Sequence, residues 1–159
     1  MNSARPEPRR APVRILHLED SYEDGELVRE MLEAKGLHCE IWRVVSHEEF
    51  QTALEEQDFQ LILSDFTLPS YDGLRALALA RQARPSIPFI FFSGTIGEEV
   101  AIESLKHGAS DYILKTRPDR LVSAVERALR ELHERKERQE IEAQLRQSEN
   151  WFHQISESV

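Results

Sequence analysis

The sequence predicts an α/β fold: a doubly wound (βα)5 unit on a parallel sheet, followed by an extended C-terminal helix. Two observations predict it. Short apolar runs alternate five times with amphipathic segments, and the runs are apolar throughout rather than at every second residue, as in strands covered on both faces. Beyond the last amphipathic segment a charged stretch continues without Gly or Pro to stop it.

The first run, VRILHL at 13–18, ends in Glu19-Asp20. The second, at 38–45, is less apolar. The third, LILS at 61–64, is followed by Asp65, and the fourth, FIFF at 89–92, by Ser93. The fifth, DYIL at 111–114, is followed by Lys115. Leu27, Val28, Met31 and Leu32 mark a first helix that stops at Gly36. Ser46 and Glu49 form a capping-box pattern ahead of Phe50, Ala53 and Leu54. Asp72 caps a third helix with Leu74, Leu77, Ala78 and Ala80. Val100, Ala101, Ile102 and Leu105 predict a fourth, closed by Gly108. The fifth starts near Pro118 and carries Leu121, Val122, Val125, Leu129 and Leu132. Parallel strands joined by helices require right-handed crossovers.

Residues 133–140 (HERKERQE) are all polar but favour helix, so the fifth helix is expected to leave the globular core. Ile141, Leu145, Ser148, Phe152 and Ile155 then recur at heptad spacing. The seam fits a homodimer through the C-terminal helix; a solvated single helix is the other reading. Residues 1–11, with their Pro and Arg, read as a disordered arm rather than a signal peptide. The expected organisation is arm 1–11, globular domain 12–132 and helical linker 133–159.

Composition narrows the function. The chain of 159 residues is 40% apolar and 31% charged, with a formal net charge of −9. General nucleic-acid binding is excluded, because it needs a basic surface against phosphates. A single cysteine, Cys39, excludes an intramolecular disulfide framework and a Cys-rich zinc site, and reads as a small buried or half-buried hydrophobe. No apolar run approaches the roughly 20 residues that span a bilayer. The expectation is a cytoplasmic protein with neither membrane nor nucleic acid as partner.

The polar residues carry the chemistry. Glu19, Asp20, Asp65, Ser93 and Lys115 all emerge at the carboxyl ends of predicted strands, the edge where open α/β sheets bind ligands. Three converging carboxylates repel: two unit charges about 4 Å apart cost on the order of 4 kcal/mol at an effective dielectric near 20. A hard divalent cation with oxygen ligands, together with Lys115, offsets this. A nucleophilic carboxylate, a metal site, a fixed cation and a hydroxyl donor are what phosphoryl uptake on aspartate requires.

With these residues in order, the chain resembles the receiver domain of two-component response regulators over about residues 12–132. The acidic pair is Glu19-Asp20; the phosphoacceptor and its loop are Asp65-Phe66-Thr67-Leu68-Pro69 and Asp72-Gly73. Ser93-Gly94 and Gly108-Ala109-Ser110-Asp111-Tyr112-Ile113-Leu114-Lys115 complete the pattern. The resemblance implies a flavodoxin-like sheet of strand order 2-1-3-4-5. It implies that Asp65 accepts a phosphoryl group from a histidine kinase or histidine phosphotransfer protein. It implies Mg2+ held by Glu19, Asp20, Asp65 and the Thr67 backbone carbonyl, phosphoryl oxygens bound by Ser93 and Lys115, and a switch made by Ser93 and Tyr112. Where the family has a cis-proline after the lysine, this chain has Thr116, which predicts a trans bond and a shifted loop. Leu68 stands where the family commonly has Met, a near-isosteric change. Residues 145–152 (LRQSENWF) resemble the helix leading into a PAS domain. That resemblance implies a longer protein, with a sensor and a histidine kinase or diguanylate cyclase behind it.

Other readings fare worse. A haloacid-dehalogenase-like phosphatase needs an Asp at position 67, which is Thr67. A flavodoxin-like cofactor binder needs a hydroxyl- and Gly-rich phosphate loop where Glu19-Asp20 would repel the phosphate. His133 lacks the second helix that a kinase phosphoacceptor histidine requires. A phosphorylation-independent receiver-like scaffold is the remaining alternative. The domain itself is expected to be a phosphoacceptor rather than a turnover enzyme.

Overall fold

The computed structural model describes residues 10–69, 71–94 and 97–157. Most of the predicted arm lies outside them. Five strands and five helices alternate: β1 (Val13–Leu18), α1 (Tyr22–Ala34), β2 (Cys39–Val44), α2 (His47–Glu56), β3 (Leu61–Ser64), α3 (Gly73–Ala83), β4 (Phe89–Ser93), α4 (Glu98–Lys106), β5 (Asp111–Leu114) and α5 (Asp119–Glu157). All pairings are parallel and the order is β2-β1-β3-β4-β5, as expected.

The continuous apolar runs follow from burial on both faces. Leu16, Leu18, Ile62, Phe89 and Phe91 point to one core, closed by Phe50 and Leu54 of α2 and Ala76, Leu77 and Ala80 of α3. Ile15, Leu61, Leu63, Ile90, Phe92 and Ile113 point to the other, closed by Val28 and Leu32 of α1 and Leu121, Val122 and Val125 of α5. β4 sends three buried aromatic side chains, Phe89, Phe91 and Phe92, into the core; Phe89 and Phe91 meet edge to face at 5.0 Å between centroids.

The caps match the sequence signals. Ser46 Oγ accepts from the Glu49 N–H, Asp72 Oδ1 from the Leu74 N–H, and Gly36 takes φ 78° just past α1. Gly73 opens α3 because its Cα sits against the Phe66 backbone; a Cβ there would lie 2.8 Å from Phe66 Cα and carbonyl O. That close approach folds the loop after β3 back over the sheet edge.

Three helices differ in part from their predicted faces. On α3 Ala76 is buried beside Leu77 and Ala80, whereas Ala78 is exposed. On α4 the predicted apolar stripe is not covered: Ile102 and Leu105 are each 48% exposed, and Ser104 is the residue that is buried, its hydroxyl donating to the Val100 carbonyl. Leu27 of α1 is likewise partly exposed, off the stripe of Val28 and Leu32. No cis peptide bond occurs among the described residues, so Lys115–Thr116 is trans as expected. Cys39 is half-buried.

Beyond Leu132, the last buried residue of α5, the helix runs on with every described side chain exposed. Arg135 fastens its exit by donating to the Ser86 carbonyl. No helix among the described residues is long and apolar enough to cross a membrane.

Candidate functional site

Strand register brings the site together. Leu18 pairs with Ser64, Ser64 with Phe91, and Ser93 with Leu114. The next residues therefore leave the sheet at one edge. The Glu19 N–H bonds to the Val44 carbonyl, the Asp65 N–H to the Leu18 carbonyl, and the Lys115 N–H to the Ser93 carbonyl. Glu19, Asp20 and Asp65 each place a carboxylate oxygen within 4.8 Å of the others.

Asp65 is the centre of this group and is buried. Its Oδ1 accepts from Ser93 Oγ at 2.8 Å and from the Thr67 N–H at 3.3 Å. Its Oδ2 accepts from Lys115 Nζ at 2.9 Å. Both oxygens are thus held by donors supplied from β4, the β3–α3 loop and the end of β5. Buried Ser64 turns its hydroxyl to the Asp65 carbonyl and fixes the backbone from below.

Glu19 is fully buried. Its Oε1 accepts from the Ser21 N–H, whereas Oε2 lies 2.9 Å from Lys115 Nζ but outside hydrogen-bond geometry, and so has no hydrogen-bond partner. Burial raises its pKa to about 7, against the opposing pull of Lys115. For Lys115, burial alone would lower the pKa. Its hydrogen bonds to Asp24 and Asp65, with the Glu19 carboxylate beside it, overcome that and hold it above the ordinary lysine range. Asp20, by contrast, is exposed.

Tyr112 of β5 is half-buried against aromatic neighbours, its ring centroid 5.5 Å from Phe91 and 6.2 Å from Phe66. Burial pushes its hydroxyl up to about 12, an effect that nearby Ser93 partly offsets. The hydroxyl has no partner in hydrogen-bond geometry.

Every predicted side chain is therefore at this edge. Three neighbours were not anticipated. Asp24, in the first turn of α1, accepts from Lys115 Nζ at 2.8 Å. Arg43 of β2 donates to the Glu19 carbonyl. His17 of β1 is fully buried with neither ring nitrogen partnered, and its Nε2 lies 4.0 Å from Glu19 Oε2. A polar residue inside an apolar strand run was the signal for His17; nothing in the spacing marked Asp24 or Arg43.

A family model described as the response regulator receiver domain matches residues 15–126. The chain belongs to the response regulator receiver domain family. Its relatives include the transcriptional regulatory protein RprY of Bacteroides fragilis, 35% identical over 103 residues, which make up 65% of this chain and 43% of that protein. The swarming motility regulation protein RssB of Serratia marcescens is 34% identical over 101 residues, covering 64% of this chain and 45% of that one. This chain thus spans less than half the length of these relatives. Among solved structures, a CheY-like receiver domain from Methanospirillum hungatei JF-1 aligns with a TM-score of 0.70 and 28% identity, covering 79% of this chain and 99% of that one. The fold and the two-component signalling class follow from these likenesses. They do not show the lead-in to a PAS domain.

The receiver's buried histidine has a pH consequence. Burial first, then Lys115 and Arg43, lower the His17 pKa to about 3, so the folded protein holds a neutral ring. The unfolded chain takes up a proton below about 6.5. The stability that depends on the neutral ring is complete above 6.5 and is lost as pH falls toward 3. Glu19 acts in the opposite sense: with a raised folded pKa, it removes stability as pH rises from 4.5 to about 7. Comparing wild type with His17→Leu isolates the histidine. Urea midpoints at pH 7 and pH 5 should show the variant gaining about 2 kcal/mol on wild type over that interval. Equal losses in both proteins contradict this.

Proposed function

We propose that this receiver domain accepts a phosphoryl group on Asp65 from a phosphohistidine of a histidine kinase or histidine phosphotransfer protein. The observation that carries the proposal is the Asp65 carboxylate held between the Ser93 hydroxyl and the Lys115 ammonium, with Glu19 and Asp20 beside it. In the transfer, an Asp65 oxygen attacks phosphorus, the O–P bond forms, and the P–N bond breaks. The histidine nitrogen leaves with the electron pair. Lys115 and Ser93 are placed to bind the phosphoryl oxygens, where negative charge must be neutralised.

The donor set suits Mg2+. All of its side-chain ligands would be hard carboxylate oxygens, and Glu19 Oε2 is buried without a hydrogen-bond partner. Glu19, Asp20, Asp65 and the Thr67 carbonyl would hold the ion. When bound, it would neutralise charge between the carboxylates and the incoming phosphoryl group. The Glu19–Asp24 turn, wound by Ser21 accepting from the Asp24 N–H, fixes two of these ligands relative to α1.

Ser93 and Tyr112 form the switch in this reading. The Tyr112 hydroxyl is already buried beside the site and has no hydrogen-bond partner, so a shift of Ser93 changes its surroundings directly. As Ser93 shifts to the phosphoryl group, the surface of α4, β5 and α5 changes. The half-exposed Ile102 and Leu105 lie on that surface. The signal then passes along α5 to a C-terminal output or sensory module, in a cytoplasmic two-component protein. The scaffold alternative is disfavoured because each acidic position and the lysine are present, and Lys115 engages both Glu19 and Asp65. The nucleic-acid expectation applies to this chain alone; several relatives carry the names of transcriptional regulatory proteins and are longer than it.

The same reading includes a homodimer through α5. Ile141, Leu145 and Phe152 are 64%, 58% and 69% exposed, at heptad spacing on a helix that no other element covers here among the described residues.

Two outcomes test these statements. With Mg2+ and acetyl phosphate, intact mass should show one base-labile phosphoryl adduct on wild type and none on Asp65→Asn; a wild type without adduct favours the scaffold. By light scattering, wild type should be a dimer and Leu145→Glu a monomer, while equal masses for the two proteins contradict the α5 interface.

A further inference from the structure

Lys115 donates two hydrogen bonds to carboxylates, and only one of them goes to the phosphoacceptor. The other goes to Asp24, at 2.8 Å. Asp24 stands apart from the acidic cluster, which comprises Glu19, Asp20 and Asp65. Its position is fixed by the fold. Its own N–H bonds to the Ser21 hydroxyl in the first turn of α1, where a carboxylate also suits the helix N-terminus. The next residue, Gly25, lies against Arg43, so close that a Cβ would fall 2.9 Å from Arg43 Cδ. Arg43 in turn donates to the Glu19 carbonyl. The first turn of α1 is therefore wedged against β2, and Asp24 with it.

A lysine ammonium is a compact charge on a four-carbon stem with three rotatable donors. Left to Asp65 and Glu19 alone, it would follow whichever carboxylate gained or lost charge. We propose that Asp24 is a positioning residue for Lys115: it tethers the ammonium from the α1 side, so that the remaining donors stay aimed at Asp65 when the phosphoryl group arrives. The proposal rests on the phosphoacceptor reading given above. It assigns Asp24 no contact with the phosphoryl group or the cation. Its action is on the lysine, and it links the N-terminal turn of α1 to the end of β5.

The tether predicts a specific separation of effects. In the full chain, Asp24→Ala should be phosphorylated by acetyl phosphate roughly tenfold more slowly than wild type, the scale of a misplaced catalytic group. Mg2+ affinity, read by calorimetry, should stay within about twofold, since Asp24 is outside the cluster. Asp24→Asn keeps an acceptor oxygen and should recover most of the rate. An Ala variant as fast as wild type overturns the proposal, and so does one whose Mg2+ affinity falls in step with its rate. A second readout does not need phosphorylation. The 15Nζ ammonium resonance of Lys115 should be visible in wild type and Asp24→Asn and lost to exchange in Asp24→Ala. Identical Lys115 signals in all three proteins overturn the tether. A wild type that takes no phosphoryl group while the Lys115 signals differ overturns the function reading and leaves the tether standing.

Discussion

One ammonium group organises the functional edge of this molecule. Glu19, Asp20 and Asp65 are brought within 4.8 Å of one another by strand register alone, and two such charges repel by several kcal/mol at the dielectric of a protein surface. Lys115 reaches into them from the end of β5, within 2.9 Å of both Glu19 and Asp65. Its own charge is held fast by the same neighbours, and it is largely shielded from solvent. Burial of Glu19 is tolerated because this cation is beside it; even so, its pKa rises to about 7. The edge is thus poised with excess negative potential and an oxygen without a hydrogen-bond partner, which is the condition for recruiting a cation.

The fold supports this edge by making its floor rigid. β1 and β3 are covered on both sides, and Ser64 and Gly73 hold the backbone on either side of Asp65. Asp65 itself is clamped by donors from three different segments. In contrast, α4 lies over the sheet with only Ser104 buried and two large apolar residues half exposed. A firmly held Asp65 edge beside a helix with one buried residue is a physical basis on which the proposed phosphoryl transfer would change the surface. The long α5 begins in the same core, through Leu121 and Val125, and carries the connection outward.

Much of this was legible in the sequence because parallel strands announce themselves. Runs such as LILS and FIFF have no polar face, and each ends at a residue that belongs to the site. Capping residues Ser46 and Asp72 were legible for a similar reason: their side chains satisfy orphan backbone donors wherever they occur. The illegible parts depend on tertiary packing. Asp24 engages Lys115 across 91 positions of chain, and no local pattern encodes that pairing. Ala76 rather than Ala78 faces the core because the pitch of α3 is set at Gly73 against Phe66, not by the apolar pattern, in which alanines occur at both positions. For α4 the apolar stripe exists, but the structure leaves Ile102 and Leu105 substantially exposed. His17 sits in a run that reads as strand core, and only coordinates reveal that its ring lacks partners.

The most direct test of the central claim is where a divalent cation binds. Crystals of the full chain grown with Mn2+ in place of Mg2+ should give an anomalous peak about 2.1 Å from carboxylate oxygens at the Asp65 edge, with Lys115 Nζ still beside Asp65. A peak on some other surface carboxylate, or none at this edge under saturating Mn2+, would contradict the account.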